Sequence, residues 1–160
     1  MRVFWAILLG GVTAGALDLL SAFASYVPNG ASVIGILHYI ASGLIGAPAM
    51  TGGAATAALG LAVHFALTTA MAAAYVGVAL KAPAVLARPW LSAVALGLIT
   101  YVAMVYVLVP HSGVARWDLP KGWAIVSGVL AHCFFVGAPI THLARHFLAG
   151  PAWESGRPVK

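Results

Sequence analysis

The sequence predicts an all-α integral membrane protein, a four-helix transmembrane bundle with an additional broken or re-entrant segment. Three observations carry this. Hydrophobic residues make up 62% of the 160-residue chain and charged residues only 7%, where a soluble domain would carry about 25%. Mean hydropathy is +1.02. Apolar stretches of the roughly 20 residues that a helix needs to cross a hydrocarbon layer of about 30 Å recur along the chain, separated by Gly, Pro and charge.

The first predicted helix covers 4–26. Its start, "MRVFWAILLGGVTAGA", has the single Arg and apolar run of a signal peptide. The run continues to Tyr26 and further hydrophobic segments come after it, so an uncleaved first membrane helix is the expectation. The second helix covers 54–80. The third, 91–109, is introduced by "RPW" and stopped by Pro110; the fourth, 123–143, is introduced by "LPKGW". Pro139 should kink the fourth, because proline lacks an amide donor and clashes with the preceding turn.

Residues 35–53, "GILHYIASGLIGAPAMTGG", are apolar but interrupted by Gly and Pro. A fifth span would leave almost no turn before Ala54. A short interfacial or re-entrant helix packed on the bundle is expected, since broken backbone needs protein or water around it. The whole chain then forms a single membrane domain.

Charge orients this arrangement. Arg2, Lys81, Arg88, Arg145, Arg157 and Lys160 share one side, and Arg116 and Lys121 the other, which places both termini in the cytoplasm. Trp5, Trp90 and Trp153 fall near the inner interface and Trp117 and Trp123 near the outer one, as in an aromatic belt. The net charge of +5 comes from eight Lys and Arg against three acids. They are scattered, so no nucleic-acid partner is implied. The lone Cys133 rules out an internal disulfide.

Small residues recur where helices should meet: Gly11, Ala14, Gly15, Ser21 and Ser25 in the first helix, and Ala57, Gly60, His64 and Thr68 in the second. Such faces let backbones approach closely and offer a homo-oligomer contact.

One acid interrupts this apolar background. Asp18 lies in "AGALDLLSAF", on the small face of the first helix. At 1.5 Å per residue it is about 21 Å beyond Phe4, in the outer half. His64 is about 15 Å and His132 about 14 Å below the outer ends of their helices. His38 belongs to the outer broken segment, and Tyr106 nears the outer end of the third helix. Asp18, His38, His64, Tyr106 and His132 therefore form a candidate polar or proton-relay site, because ionisable groups in membrane helices line cavities, pair together or relay protons. Histidine, whose reference pKa is near neutrality, suits a relay.

Three functions fit these residues. A carrier moving a small solute or ion would use Asp18 as the titrating acid. A haem b electron-transfer module would use His64 and His132 as opposing axial ligands, with Gly60 and Gly128 making room for the porphyrin. A non-catalytic assembly or structural protein would use the polar groups as a clamp and bind a membrane protein partner. A divalent metal held by Asp18 and two histidines lacks any diagnostic spacing. His142 and His146 share a helix face but fit an interfacial anchor beside Arg145 better than a metal site. No phosphate-binding glycine loop, HExxH or GxSxG occurs, so an enzyme ranks below a carrier or a structural membrane protein.

Taken together, "GGVTAGALDLLSAF", "IASGLIGAPAMTGG", "GLAVHF", "RPW" and "HCFFVGAPI" resemble a recurrent group of small uncharacterised bacterial inner-membrane proteins. The resemblance implies a multi-pass bundle in the bacterial cell inner membrane and carries no activity onto Asp18, His64 or His132.

Overall fold

In the computed structural model, which describes residues 1–114 and 116–149, every regular element is helical. Helix α1 is Arg2–Tyr26, α2 Val33–Ile45, α3 Gly53–Lys81, α4 Pro89–Val102, α5 Trp123–Ala131 and α6 Ala138–Leu148. A π-helical turn, Ala103–Leu108, prolongs α4, and another, His132–Gly137, joins α5 to α6. Four continuous helices are thus long and apolar enough to cross a membrane: Arg2–Asn29, Gly53–Lys81, Pro89–Leu108 and Trp123–Leu148. Each matches the corresponding sequence-predicted helix to within a few residues at its ends.

The surface fits that composition. Leu20, Leu44, Leu91, Ile99 and Val102 are exposed, while the interior is built largely of Ala, Gly and Thr. Helices apolar on every face gain little from the usual separation into an oily and a wet side. They associate through close packing, for which small residues are needed. Gly11 of α1 lies against Thr69 of α3, and Gly15 against Phe65 and Thr68. This order makes α1 and α3 antiparallel. Gly97 of α4 abuts Cys133, and Gly137 abuts Ala93, so α4 and the α5–α6 arm are antiparallel too. The small-residue stripe of α1 is therefore used inside the fold: Gly11, Ala14 and Gly15 are buried and are not a free surface for a second copy.

These directions bring Arg2, Lys81, Arg88 and Arg145 to one end, the basic end, and Arg116 and Lys121 to the other, the Trp123 end. Arg157, Lys160 and Trp153, counted in the sequence-based orientation, lie outside the described residues. The apolar core fills the basic half. Ala6, Ala72, Val76, Val136, Ile140 and Ala144 pack there in a continuous cluster with Tyr75. His142 stacks edge-on against Trp90 at 4.5 Å, and its Nδ1 donates to the Ala138 carbonyl of its own helix at 2.9 Å, which suits an anchoring role.

The broken segment resolves into two pieces. Ser32 caps α2 by accepting the Gly35 amide at 2.9 Å. Thirteen residues, about 20 Å of helix, are too few for a span. Gly46 then ends α2 with φ +74°, and a 3₁₀ turn at Ala47–Thr51 returns the chain to α3. Helix α2 lies on the first half of α3, where Gly60 receives the Leu37 carbonyl.

Both π turns end two residues before a proline, Pro110 or Pro139. Proline withholds an amide and pushes the carbonyl four residues back out of line. A wider turn, in which Val109 N–H reaches the Met104 carbonyl at 2.9 Å, absorbs that conflict. The predicted disturbance at Pro139 thus takes the form of a widened turn just before it.

A Cβ on Gly60 would collide with the α2 backbone, whereas one on Gly77 would meet nothing within 4 Å. Gly60→Val should destabilise the purified protein by about 1–3 kcal/mol, the usual effect of overpacking. Gly77→Ala should be neutral or stabilise by about 0.5–1 kcal/mol, by the helix preference of Ala. Melting followed by tryptophan fluorescence in detergent checks both; equal melting of the two variants would refute the proposed α2–α3 contact.

Candidate functional site

The crossing of α1 and α3 delivers the first two site residues. Because Gly15 has no side chain, Phe65 and Thr68 sit directly on α1, and the preceding turn of α3 places His64 beside it. The His64 Nε2 lies 2.9 Å from the Gly15 carbonyl. A carbonyl only accepts, so this nitrogen carries a proton and donates it, leaving Nδ1 to bind or release one. The same Nε2 is 4.0 Å from Asp18 Oδ2. That is ion-pair contact when the imidazole is protonated, and too long for a direct hydrogen bond when it is neutral. Thr68 is buried below this pair, its hydroxyl directed to the His64 and Phe65 carbonyls.

His132 approaches from the other side, at the first residue of the π turn. Its Nδ1 is 3.0 Å from the Gly128 carbonyl of its own helix. Its ring packs edge-on against Tyr101 of α4 at 5.4 Å. Tyr101 in turn covers Gly128, where an added Cβ would lie 2.7 Å from the ring.

Two cavities meet at these residues. The larger, about 550 Å³, is a cleft between the end of α1 and the start of α5. Tyr26, Asn29 and Trp123 border it at the Trp123 end, Ser21, Ser25 and Ser127 lie along its walls, and Asp18 and His132 are reached at the bottom. The smaller, about 40 Å³, is lined by Asp18, His64, Thr68 and His132 with Leu67, Met71, Met104 and Val136. It has room for about one water molecule with polar partners on several sides. Asp18 and His132 line both cavities and so form the partition between them. Beyond Val136 the apolar core of the basic half begins.

Of the five sequence-predicted residues, Asp18, His64 and His132 come together. Tyr106 does not line either cavity; it is partly exposed and reaches the site only through Tyr101, whose ring is 6.1 Å away. His38 does not join the cluster. It is buried elsewhere, with Nε2 2.8 Å from the Gly53 carbonyl, and fastens α2 to the start of α3. The haem arrangement also meets an obstacle: the space expected at Gly60 and Gly128 is filled by the Leu37 backbone and the Tyr101 ring, leaving no porphyrin slot beside either glycine. Among the described residues no three His, Cys, Asp or Glu side chains converge as metal ligands. Asp18 and the two histidines share a cavity without forming such a set.

Sequence reasoning missed Tyr101, Asn29 and Ser127. Asn29 continues the spacing of Asp18, Ser21 and Ser25 along one helix face, a pattern visible without coordinates. Ser127 and Tyr101 acquire meaning only when α4 and α5 are placed.

Fold and site together define an all-helical protein with four helices of membrane-spanning length and a polar cleft closed at one end. No family model, no curated protein and no solved structure matches the chain.

The cleft should admit water from the Trp123 end only. In a Cys133→Ala background, Ser25→Cys and Ala124→Cys should react with a small water-soluble maleimide at least about tenfold faster than Ala72→Cys, since thiol reactivity follows access. Equal rates would contradict a closed basic half.

Proposed function

We propose that this is a multi-pass protein of a bacterial inner membrane that moves a small solute or ion through the Asp18 site, with the basic end and both termini in the cytoplasm. The orientation is supported by Arg2, Lys81, Arg88 and Arg145 at one end against Arg116 and Lys121 at the other, in line with the positive-inside bias. The cleft then opens outward.

The observation that carries the functional reading is the position of the acid. Asp18 stands at the bottom of a water-sized route, 4.0 Å from a histidine that lies beyond the partition. A carboxylate in such a place is costly unless it is paired or solvated. Here it has solvent on one side and an imidazole on the other. A proton arriving in the cleft can reach Asp18 or His132 and pass through a water in the small cavity toward His64, which lines it. The tightly packed basic half blocks continuous leakage. Net movement requires that half to loosen while the cleft closes, as in alternating access. Four helices give few surfaces for such rocking, so assembly of two or more copies through lipid-facing sides is part of the proposal.

In proteoliposomes with an imposed pH gradient and a pH-sensitive dye inside, wild-type protein should carry a flux above that of empty vesicles. Asp18→Asn should lower it at least about tenfold, the scale expected when a positioned proton-transfer group is removed. His38→Gln should leave it largely unchanged. Wild-type flux no greater than that of empty vesicles would favour a structural or assembly role for the same pair, and unchanged flux in Asp18→Asn would remove Asp18 as the coupling acid.

A further inference from the structure

The deep part of the cleft, around Asp18, Ser21, Ser127 and His132, has a one-sided hydrogen-bonding character. The Ser21 hydroxyl donates to the Asp18 carbonyl at 2.8 Å and the Ser127 hydroxyl to the Trp123 carbonyl at 2.9 Å. With its Nδ1 proton on the Gly128 carbonyl at 3.0 Å, neutral His132 has only the acceptor Nε2 to offer. These three donors, deep in the cleft, are each turned back onto their own helix. What remains for an occupant of the deep cleft is a set of lone pairs, together with the Asp18 carboxylate. None of the residues lining it is Lys or Arg.

This chemistry selects among ligands. A carboxylate or phosphate would face acceptors and a like charge. A bare divalent cation needs several oxygens at about 2.0–2.6 Å, yet no three His, Cys, Asp or Glu side chains converge among the described residues, and Asp18 is the one carboxylate lining the cleft. A neutral alcohol supplies a donor but leaves the carboxylate uncompensated. An ammonium group supplies positive charge and up to three N–H donors at once. The rest of the wall includes Ala22, Ala124 and Ala131, which suit an apolar body. The volume of 550 Å³ lies within the range of small-molecule pockets. Tyr26 and Trp123 border the mouth, and aromatic rings attract cations.

We infer that the cleft binds a protonated primary amine with a small apolar body, its ammonium seated on Asp18 and the Ser21 and Ser127 oxygens. This rests on reading the cleft as the route of a solute and names the class of that solute.

The test is calorimetric titration of the full chain in an uncharged detergent with benzylammonium, benzyl alcohol and benzyltrimethylammonium. Benzylammonium should bind about tenfold or more tightly than either analogue, because only it supplies both charge and N–H donors. Asp18→Asn should lose about tenfold or more of that affinity, and Ser127→Leu, which leaves the acid in place and narrows the cleft, should weaken it as well. Melting curves identify any variant that fails to fold, and the ligand series on wild-type protein decides without a variant. Equal binding of the three probes, or no binding of benzylammonium, overturns the inference. An Asp18-dependent proton flux without amine binding overturns it while leaving the transport reading standing. Amine binding without any flux in proteoliposomes retains the inference and overturns transport.

Discussion

Everything at the polar site depends on how closely α1 and α3 cross. Gly11 and Gly15 let the Thr69, Thr68 and Phe65 positions of α3 rest on the α1 backbone. Only at that separation can His64 reach the Gly15 carbonyl at 2.9 Å and stand 4.0 Å from Asp18. A larger residue at Gly15 would wedge the helices apart and strand a carboxylate among apolar side chains, a costly state without a partner. The same contact determines the rest of the bundle. With α3 held on one side of α1, α6 packs on another through Gly10 and Ile140, and the end of α1 is left apart from α5, which opens the cleft.

The two halves of the molecule have opposite physical characters. The basic half is filled by alanines and branched side chains packed against Val136. The other half holds hydroxyls, an amide, two histidines and the acid around open volume. The π turn that begins at His132 lies at the junction. Such turns loosen the regular hydrogen-bond ladder and are frequent at functional positions. Here one sets the partition residue, and the other surrounds Met104, which lines the small cavity. The place where the helices are least regular is therefore also where the cavities meet.

Much of this was legible in the sequence for a simple reason. Helical rise is fixed, so counting from the predicted ends put Asp18, His64 and His132 at one depth, and long apolar runs gave the four long helices. Direction around the axis was harder to read. Tyr106 lies inside a π turn, and an extra residue in a turn rotates the later part of the helix by roughly 100° relative to a regular one. His38 lies too near the outer end: its ring is on the Gly53 carbonyl at the start of α3, about 16 Å of helix before His64. Gly60 and Gly128 looked like free space; a glycine in a packed bundle is more often the point at which a neighbour enters, as Leu37 and Tyr101 do. The hydrogen-bond direction of Ser21, Ser127 and His132 had no sequence signature at all, since it depends on side-chain rotamers.

The central claim is the contact between Asp18 and His64 across the α1–α3 crossing. It is tested most directly by nitrogen NMR of the ring-labelled histidines in lipid bilayers, comparing wild type with Asp18→Asn. Removing the carboxylate charge 4.0 Å away should shift the ring resonances of His64, and to a lesser degree those of His132, while leaving His38 and His111 unmoved. A His64 signal indifferent to the substitution, in a variant that retains its helical content and melting behaviour, would contradict the account.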